Sequence, residues 1–227
     1  MATITVAKIR ARADQKADMV GSNFVTFPEQ LAMINEAYFS FYDLIVSRFE
    51  DYNLGTPTSF SLASGVSSYP LPSDFYKLAG VDRQTGTNKF YPLRNYPWRS
   101  RNRFQASFSQ FGLHPRIGYR LIGPNLTFVP DDQAQGDYRL WYIPLPTELV
   151  LESDTFERYN GFEELVVIDT AIKMVAKEES DISYLMTERQ RIEARIQEML
   201  LDRDINDGER IEEVDRGSYG DESYNYD

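Results

Sequence analysis

A chain of 227 residues can bury a core in one or two domains, and 42% apolar with 14% aromatic residues is globular rather than disordered composition. With no cysteine, a disulfide scaffold, a thiol nucleophile and a zinc–thiolate site are excluded, and the composition suits a reducing compartment. The formal charge of −11 argues against a general phosphate-binding surface, and no apolar run approaches the ~18 residues of a membrane span. The opening run MATITVAKIRARADQKADM lacks a secretory apolar core and predicts an amphipathic helix of the mature protein from Thr3 to about Asp18. GSN at 21–23 breaks it. TFPE then gives a capping-box pattern, with Thr26 as cap, Glu29 three residues on and Pro28 in the first turn. Leu31, Ile34, Tyr38, Phe41 and Ile45 form one stripe on a long helix ending near Asp51. Phe39, Tyr42, Leu44 and Phe49 make a second apolar face, so this helix is buried on more than one side or lies against a neighbouring chain.

After NLGTP (Asn53–Pro57) the pattern becomes strand-like. TSFSLASGVSSYPLP predicts two short strands around Gly65, and DFYKLAGVD (Asp74–Asp82) another. Gly118–Pro144 predicts three more, the first pair turned by Gly-Pro-Asn and the second by DDQAQGD. Tyr138, Leu140 and Tyr142 alternate with Arg139, Trp141 and Ile143, as in a strand partly covered on both faces. Between these groups Thr87–Pro115 has little period and reads as a long irregular loop, of the kind that is usually functional or orders on a partner.

Helices return after ESDTFERYNG. Asn160 is the expected cap, with Glu163 at the third position and a stripe of Leu165, Ile168, Ile172 and Val175. EESD breaks this helix. A last one is expected from about Asp181 to Asp202, striped by Leu185, Ile192, Ile196 and Met199. Its outer face carries Glu188, Arg189, Arg191, Glu193, Arg195 and Glu198, with Arg189–Glu193 and Arg195–Glu198 as helical ion pairs. From Asp204 the period is lost, and Asp204–Asp227 reads as an acidic extended tail, unfolded in the free monomer. The expected fold is α+β: a helical bundle from N- and C-terminal helices (1–54 and 151–203), a strand-rich antiparallel insert (55–150) with a long basic loop (87–115), and a flexible C-terminal tail (204–227).

Charge is segregated along this layout. The tail holds nine acids against Arg210 and Arg216. No Asp or Glu occurs between Asp82 and Asp131, while Arg83, Lys89, Arg94, Arg99, Arg101, Arg103, Arg116 and Arg120 lie there. Either this places unlike surfaces on one molecule, or the fold neutralises the segment elsewhere. Its centre, PWRSRNRFQASFSQ, offers Trp98, Arg99, Arg101, Arg103, Phe104 and Phe108 as a docking arm, with guanidiniums for carboxylates and rings for burial. In the tail, Ile211, Val214, Tyr219, Tyr224 and Tyr226 are anchors for a segment that orders on a partner; the plain alternative is a solubilising tail.

Catalytic chemistry finds no footing. The single histidine, His114, sits beside proline in the irregular loop, and the P-loop, GxGxxG and GxSxG patterns are missing. The pairs Glu163–Glu164 and Glu178–Glu179 are helix neighbours that point ~100° apart and cannot share a reacting atom; Glu212–Glu213 lies in the tail. DDQAQGD fails the calcium-loop spacing. No cofactor or metal is expected. Arginines interleaved with Tyr91, Tyr96, Trp98, Phe104 and Phe108 resemble a single-strand nucleic-acid binder, but no such platform motif accompanies them.

The strings ADMVGSNFVTFPEQLAMINEAYFSFYDLIV, YPLPSDFYKLAGVD, YRLIGPNLTFVPDD, DYRLWYIPLP and NGFEELVVIDTAIKM, in order over about residues 10–176, resemble the head-to-tail adaptor proteins of tailed bacteriophages, also described as connector or head-completion proteins. The resemblance implies a structural virion protein, not an enzyme, assembled in the host bacterial cytoplasm. It implies a homo-oligomeric ring, usually of twelve copies, between the portal protein and the tail or nozzle proteins. Such a ring lies close to packaged double-stranded DNA, gives it a passage on ejection and involves no membrane. A C-terminal extension often reaches the portal. Other readings are a different portal-proximal or tail-tube ring, a nucleic-acid-binding module using the basic loop, or a virion cell-wall hydrolase.

Overall fold

The computed structural model describes residues 3–48, 53–102, 117–157 and 161–201. In chain order the elements are β1 (Thr3–Thr5), α1 (Val6–Lys16), α2 (Phe27–Arg48), β2 (Thr58–Leu62), β3 (Ser68–Pro70), β4 (Phe75–Gly86), β5 (Lys89–Pro92), β6 (Arg94–Asn95), β7 (Gly118–Ile122), β8 (Asn125–Val129), β9 (Gly136–Pro144), β10 (Thr155–Glu157), α3 (Glu164–Lys177) and α4 (Ser183–Leu201). Short 3-10 turns cover Trp98–Ser100 and Asp131–Gln133. The fold is α+β, as expected, with antiparallel sheets and one short parallel pairing, β6 on β7.

The first helix begins three residues later than the sequence predicts. Thr3, Ile4 and Thr5 are β-branched and favour extended backbone. They pair with β10, where Ile4 faces Phe156 and both are buried. Thr5 then caps α1, its hydroxyl accepting from the Lys8 amide at 3.3 Å. α2 starts at Phe27, and the Glu29 carboxylate accepts from both the amide and the hydroxyl of Thr26 at 2.9 Å. The Glu29 side-chain half of the capping box thus forms, with the Thr26 hydroxyl acting as donor. For α3 the cap position falls to Glu163, with no side-chain cap bond; the expected cap, Asn160, lies outside the described residues.

The helices from the two ends of the chain share one core. α3 is its centre and touches α1, α2 and α4. Leu165, Val166, Val167, Ile168, Ala171, Met174 and Val175 are all buried, a wider face than the predicted stripe, because α3 has neighbours on several sides. Ile34, Phe41 and Ile45 of α2 meet it, with Ile9 and Ala13 of α1 and Leu185, Ile192 and Ile196 of α4. Met199, expected on that stripe, is 48% exposed: α4 runs past the core after Ile196. Asn35 closes this layer below, donating to the Leu149 carbonyl and accepting from the Leu149 amide, both at 2.9 Å.

The strands form two four-stranded sheets, ordered β2-β9-β4-β5 and β3-β8-β7-β6. Phe60, Val81, Tyr138 and Leu140 from the first meet Tyr119, Leu126 and Phe128 from the second, as inner faces of packed sheets do. Rings dominate the contact, with Phe60 5.3 Å and Phe128 4.8 Å from Tyr138. Gly-Pro-Asn turns β7 into β8 as predicted, with Gly123 at φ 57°. DDQAQGD does not turn a hairpin: β8 and β9 lie in different sheets, and the segment carries the chain from one to the other. The two strands predicted around Gly65, β2 and β3, likewise belong to different sheets. The predicted loop 87–115 is shorter than expected, since β5 and β6 order its first part.

β9 joins the two layers. Tyr138 and Leu140 face the strand core, while Ile143 packs on Tyr42 and Val46 of α2. The Tyr42 hydroxyl donates to the Pro144 carbonyl at 2.6 Å, and burial pushes its pKa above the ordinary tyrosine range. Of the second apolar face of α2, Tyr42 is covered by the chain's own strands, Leu44 packs partly buried against the helical core, Phe39 is left 36% exposed, and Phe49 lies outside the described residues.

Candidate protein interface

The root of the basic segment is firmly built. Tyr96 is 1% exposed, and its amide donates to the Tyr119 carbonyl at 3.1 Å. Its carbonyl accepts from Nη1 of Arg120 at 3.1 Å. Lost hydration raises the Tyr96 pKa. Beyond this root the chain turns outward through Pro97 into the 3-10 turn, where Trp98 is 49% exposed and Arg99 exposed. Arg101 folds back, with its guanidinium carbon 4.8 Å from the Trp98 ring centroid and Nη1 donating to the Trp98 carbonyl at 3.2 Å. The structure thus brings Trp98 and Arg101 together, with Arg99 exposed on the same turn. Arg103, Phe104 and Phe108 lie outside the described residues, as do Ile211, Val214, Tyr219, Tyr224 and Tyr226. Of the aromatic residues proposed for base stacking, Tyr96 is unavailable because it is core; Tyr91 and Trp98 are accessible.

Among the described residues, the bonded arginines of the strand unit meet carbonyls and rings, not carboxylates. Arg83 donates to the Gln135 carbonyl at 3.0 Å and lies along Gly136, where a Cβ would sit 3.4 Å from its Nε. Arg139 lies over the Phe90 ring with its guanidinium carbon 3.4 Å from the centroid. Among the described residues, Arg83, Arg94, Arg99, Arg101 and Arg120 form no ion pair with a carboxylate. A carbonyl or a ring orders a guanidinium but leaves its charge in place.

The helical layer differs. Lys177 meets Glu29 at 2.8 Å, Arg10 meets Glu152 at 2.5 Å, and Lys16 meets Glu188. Arg189, expected on the outer face of α4, instead turns inward and bonds Asp169 of α3 through Nε and Glu193 through Nη1, both at 2.6 Å. Arg195 pairs with Glu164 at 3.4 Å rather than with Glu198. Burial holds the Asp169 carboxyl above its ordinary pKa, more than Arg189 lowers it. The Asp169–Arg189–Glu193 group lines a groove of about 340 Å³ between α2 and α4, with α3 as floor and Asp43 of α2 opposite. The signal for this site was an acid inside the apolar run ELVVIDTAIKM, which requires a partner once the helix is buried.

Among the described residues no group of three or more His, Cys, Asp or Glu residues could hold a metal ion, and no helix is long and apolar enough to cross a membrane. The family model described as SU10 adaptor protein matches residues 4–216. The chain belongs to the SU10 adaptor protein family, a phage head-to-tail adaptor family whose class is structural. Comparison with curated proteins gave no match.

Proposed function

We propose that the protein closes into a homo-oligomeric ring, of twelve copies as in similar adaptors, that sits between portal and tail and surrounds the DNA passage. The observation that carries this reading is the split in charge handling. Arg94 and Arg99 are exposed on the strand unit without a described carboxylate, while the helical layer holds surplus acid in a groove. A ring built head to tail needs two unlike complementary surfaces on every subunit. Net acidity keeps such a conduit from gripping the duplex through phosphate contacts.

The segment from Trp98 to Phe108 is the docking arm. Changing Arg99, Arg101 and Arg103 together to Glu should leave the monomer folded by circular dichroism and abolish ring assembly, read by sedimentation velocity and by electron microscopy of particles. Normal particles from this variant would rule the arm out. The tail, 204–227, docks on the portal through Tyr219, Tyr224 and Tyr226, so its deletion should give filled heads that lose DNA or lack tails. Heads joined as well by the truncated chain would make the tail a solubiliser only. Exposed Tyr91 and Trp98 beside Arg94 and Arg99 also fit a nucleic-acid surface. Steeply salt-dependent DNA binding by the isolated monomer would favour that second reading.

A further inference from the structure

The groove between α2 and α4 carries more carboxylates than cations. Leu44 and Leu165 give it an apolar floor, and Asp43, Asp169 and Glu193 stand around it against one guanidinium, Arg189. Arg189 is committed to Asp169 and Glu193. Asp43 accepts only from a neutral donor among the described residues, the hydroxyl of Tyr76. Negative charge is therefore in excess beside an open space. The opposite imbalance lies on the strand unit, where Arg94 and Arg99 are exposed and without a described carboxylate.

Among the described residues, no ion pair or side-chain hydrogen bond joins Arg94 or Arg99 to the groove. The helical layer meets the strands through Ile143, Pro144 and Tyr76, all on β4 and β9 of the first sheet. Arg94 belongs to β6, on an outer edge of the second sheet.

We propose that this groove is the seat for arginine side chains of the basic segment 94–101 of a second copy. The inference rests on the ring reading and names the surface that receives the start of the arm together with the strand before it. An arginine suits the site better than a lysine would: its stem covers the Leu44–Leu165 floor, and its planar fork bonds two carboxylates at once. A duplex does not suit it, because the walls repel phosphate. A second copy is favoured over another virion protein because this one chain carries both complementary surfaces.

Three variants of the full chain test this. Asp43→Lys with Ser47→Lys reverses the groove, at exposed positions of α2 where lysine is a good helix former. Arg94→Glu with Arg99→Glu reverses the segment. The third chain carries all four changes. Each two-residue variant alone should weaken self-association, read by sedimentation velocity, by about tenfold or more. An equimolar mixture of the two should recover it, since its seams join either two native or two reversed surfaces. Recovery in the four-change chain but not in the mixture would mean that the segment seats on its own groove, and would overturn the inference. A groove variant that associates like the wild type, beside a segment variant that does not, would also overturn it and leave the ring reading standing. A wild-type chain that never associates would instead remove the ring reading itself. Should loss of the Tyr76–Asp43 bond unfold the first variant, Ser40→Lys with Ser47→Lys keeps that bond and neutralises the groove rather than reversing it; self-association should still weaken, and association like the wild type would overturn the inference.

Discussion

In the helical layer Lys173 reaches across from α3 to the Glu36 carboxylate of α2; in the strand unit Arg139 lies flat on Phe90. The first contact cancels a charge and the second only orders one. The contrast recurs with Lys177 on Glu29 against Arg83 on a backbone carbonyl, and with Arg189 on two carboxylates against Arg101 on Trp98. Exposed pairs of the first kind add roughly 0–1 kcal/mol each. Among the described residues, the arginines of the strand unit meet no carboxylate. Among those same residues, the helical layer sets its cations on carboxylates, while the strand unit sets its guanidiniums on carbonyls and rings.

That contrast can be broken hardest through the strand core. Phe128→Ala empties the space between the two sheets and should cost about 3–5 kcal/mol, read as a lower urea midpoint. Because Tyr42 and Val46 pack on Ile143, both halves should melt in one transition; two transitions would make them independent units. Asn35→Ala comes next. It strands the buried Leu149 amide and carbonyl, at about 1–3 kcal/mol for each, and thermal melting should show the loss. Arg139→Gln should cost only about 0.5–1 kcal/mol, with little change on adding salt. The mildest probe is pH. Glu29 is lowered from 4.5 to about 2, first by its bond from Lys177 and then by Thr26. Its folded value lies below its unfolded value, so its contribution is complete above pH 4.5 and is lost as pH falls toward 2. The melting difference between wild type and Glu29→Gln should shrink over that window. A difference that persists at pH 2 would show that the Lys177 pair is not its source.

The helices were legible because their signals are local. Thr26 and Glu29 are three residues apart, and Ile34, Tyr38, Phe41 and Ile45 repeat with the helix itself. Strand pairing was not legible, because alternation marks a strand without naming its neighbour. DDQAQGD has the composition of a hairpin turn, yet it links two sheets. The same limit applies to the candidate interface. The run of arginines without acids was visible. That Tyr96 is core rather than surface, and that Asp43, Asp169 and Glu193 line one groove from three helices, depends on contacts between residues far apart in sequence.

β1 pairs with β10, so residues 3–5 find their partners only at 155–157. The N-terminal helices likewise wait for α3 and α4 to supply the rest of their core. On the ribosome, β2 through β9 leave the exit tunnel before that core can close, and they can pack while α1 and α2 remain unsheltered. Bringing such distant ends together carries a loop-closure cost and slows folding. During that interval the nascent chain exposes Ile34, Phe41 and Ile45, and chaperone binding would be concentrated there.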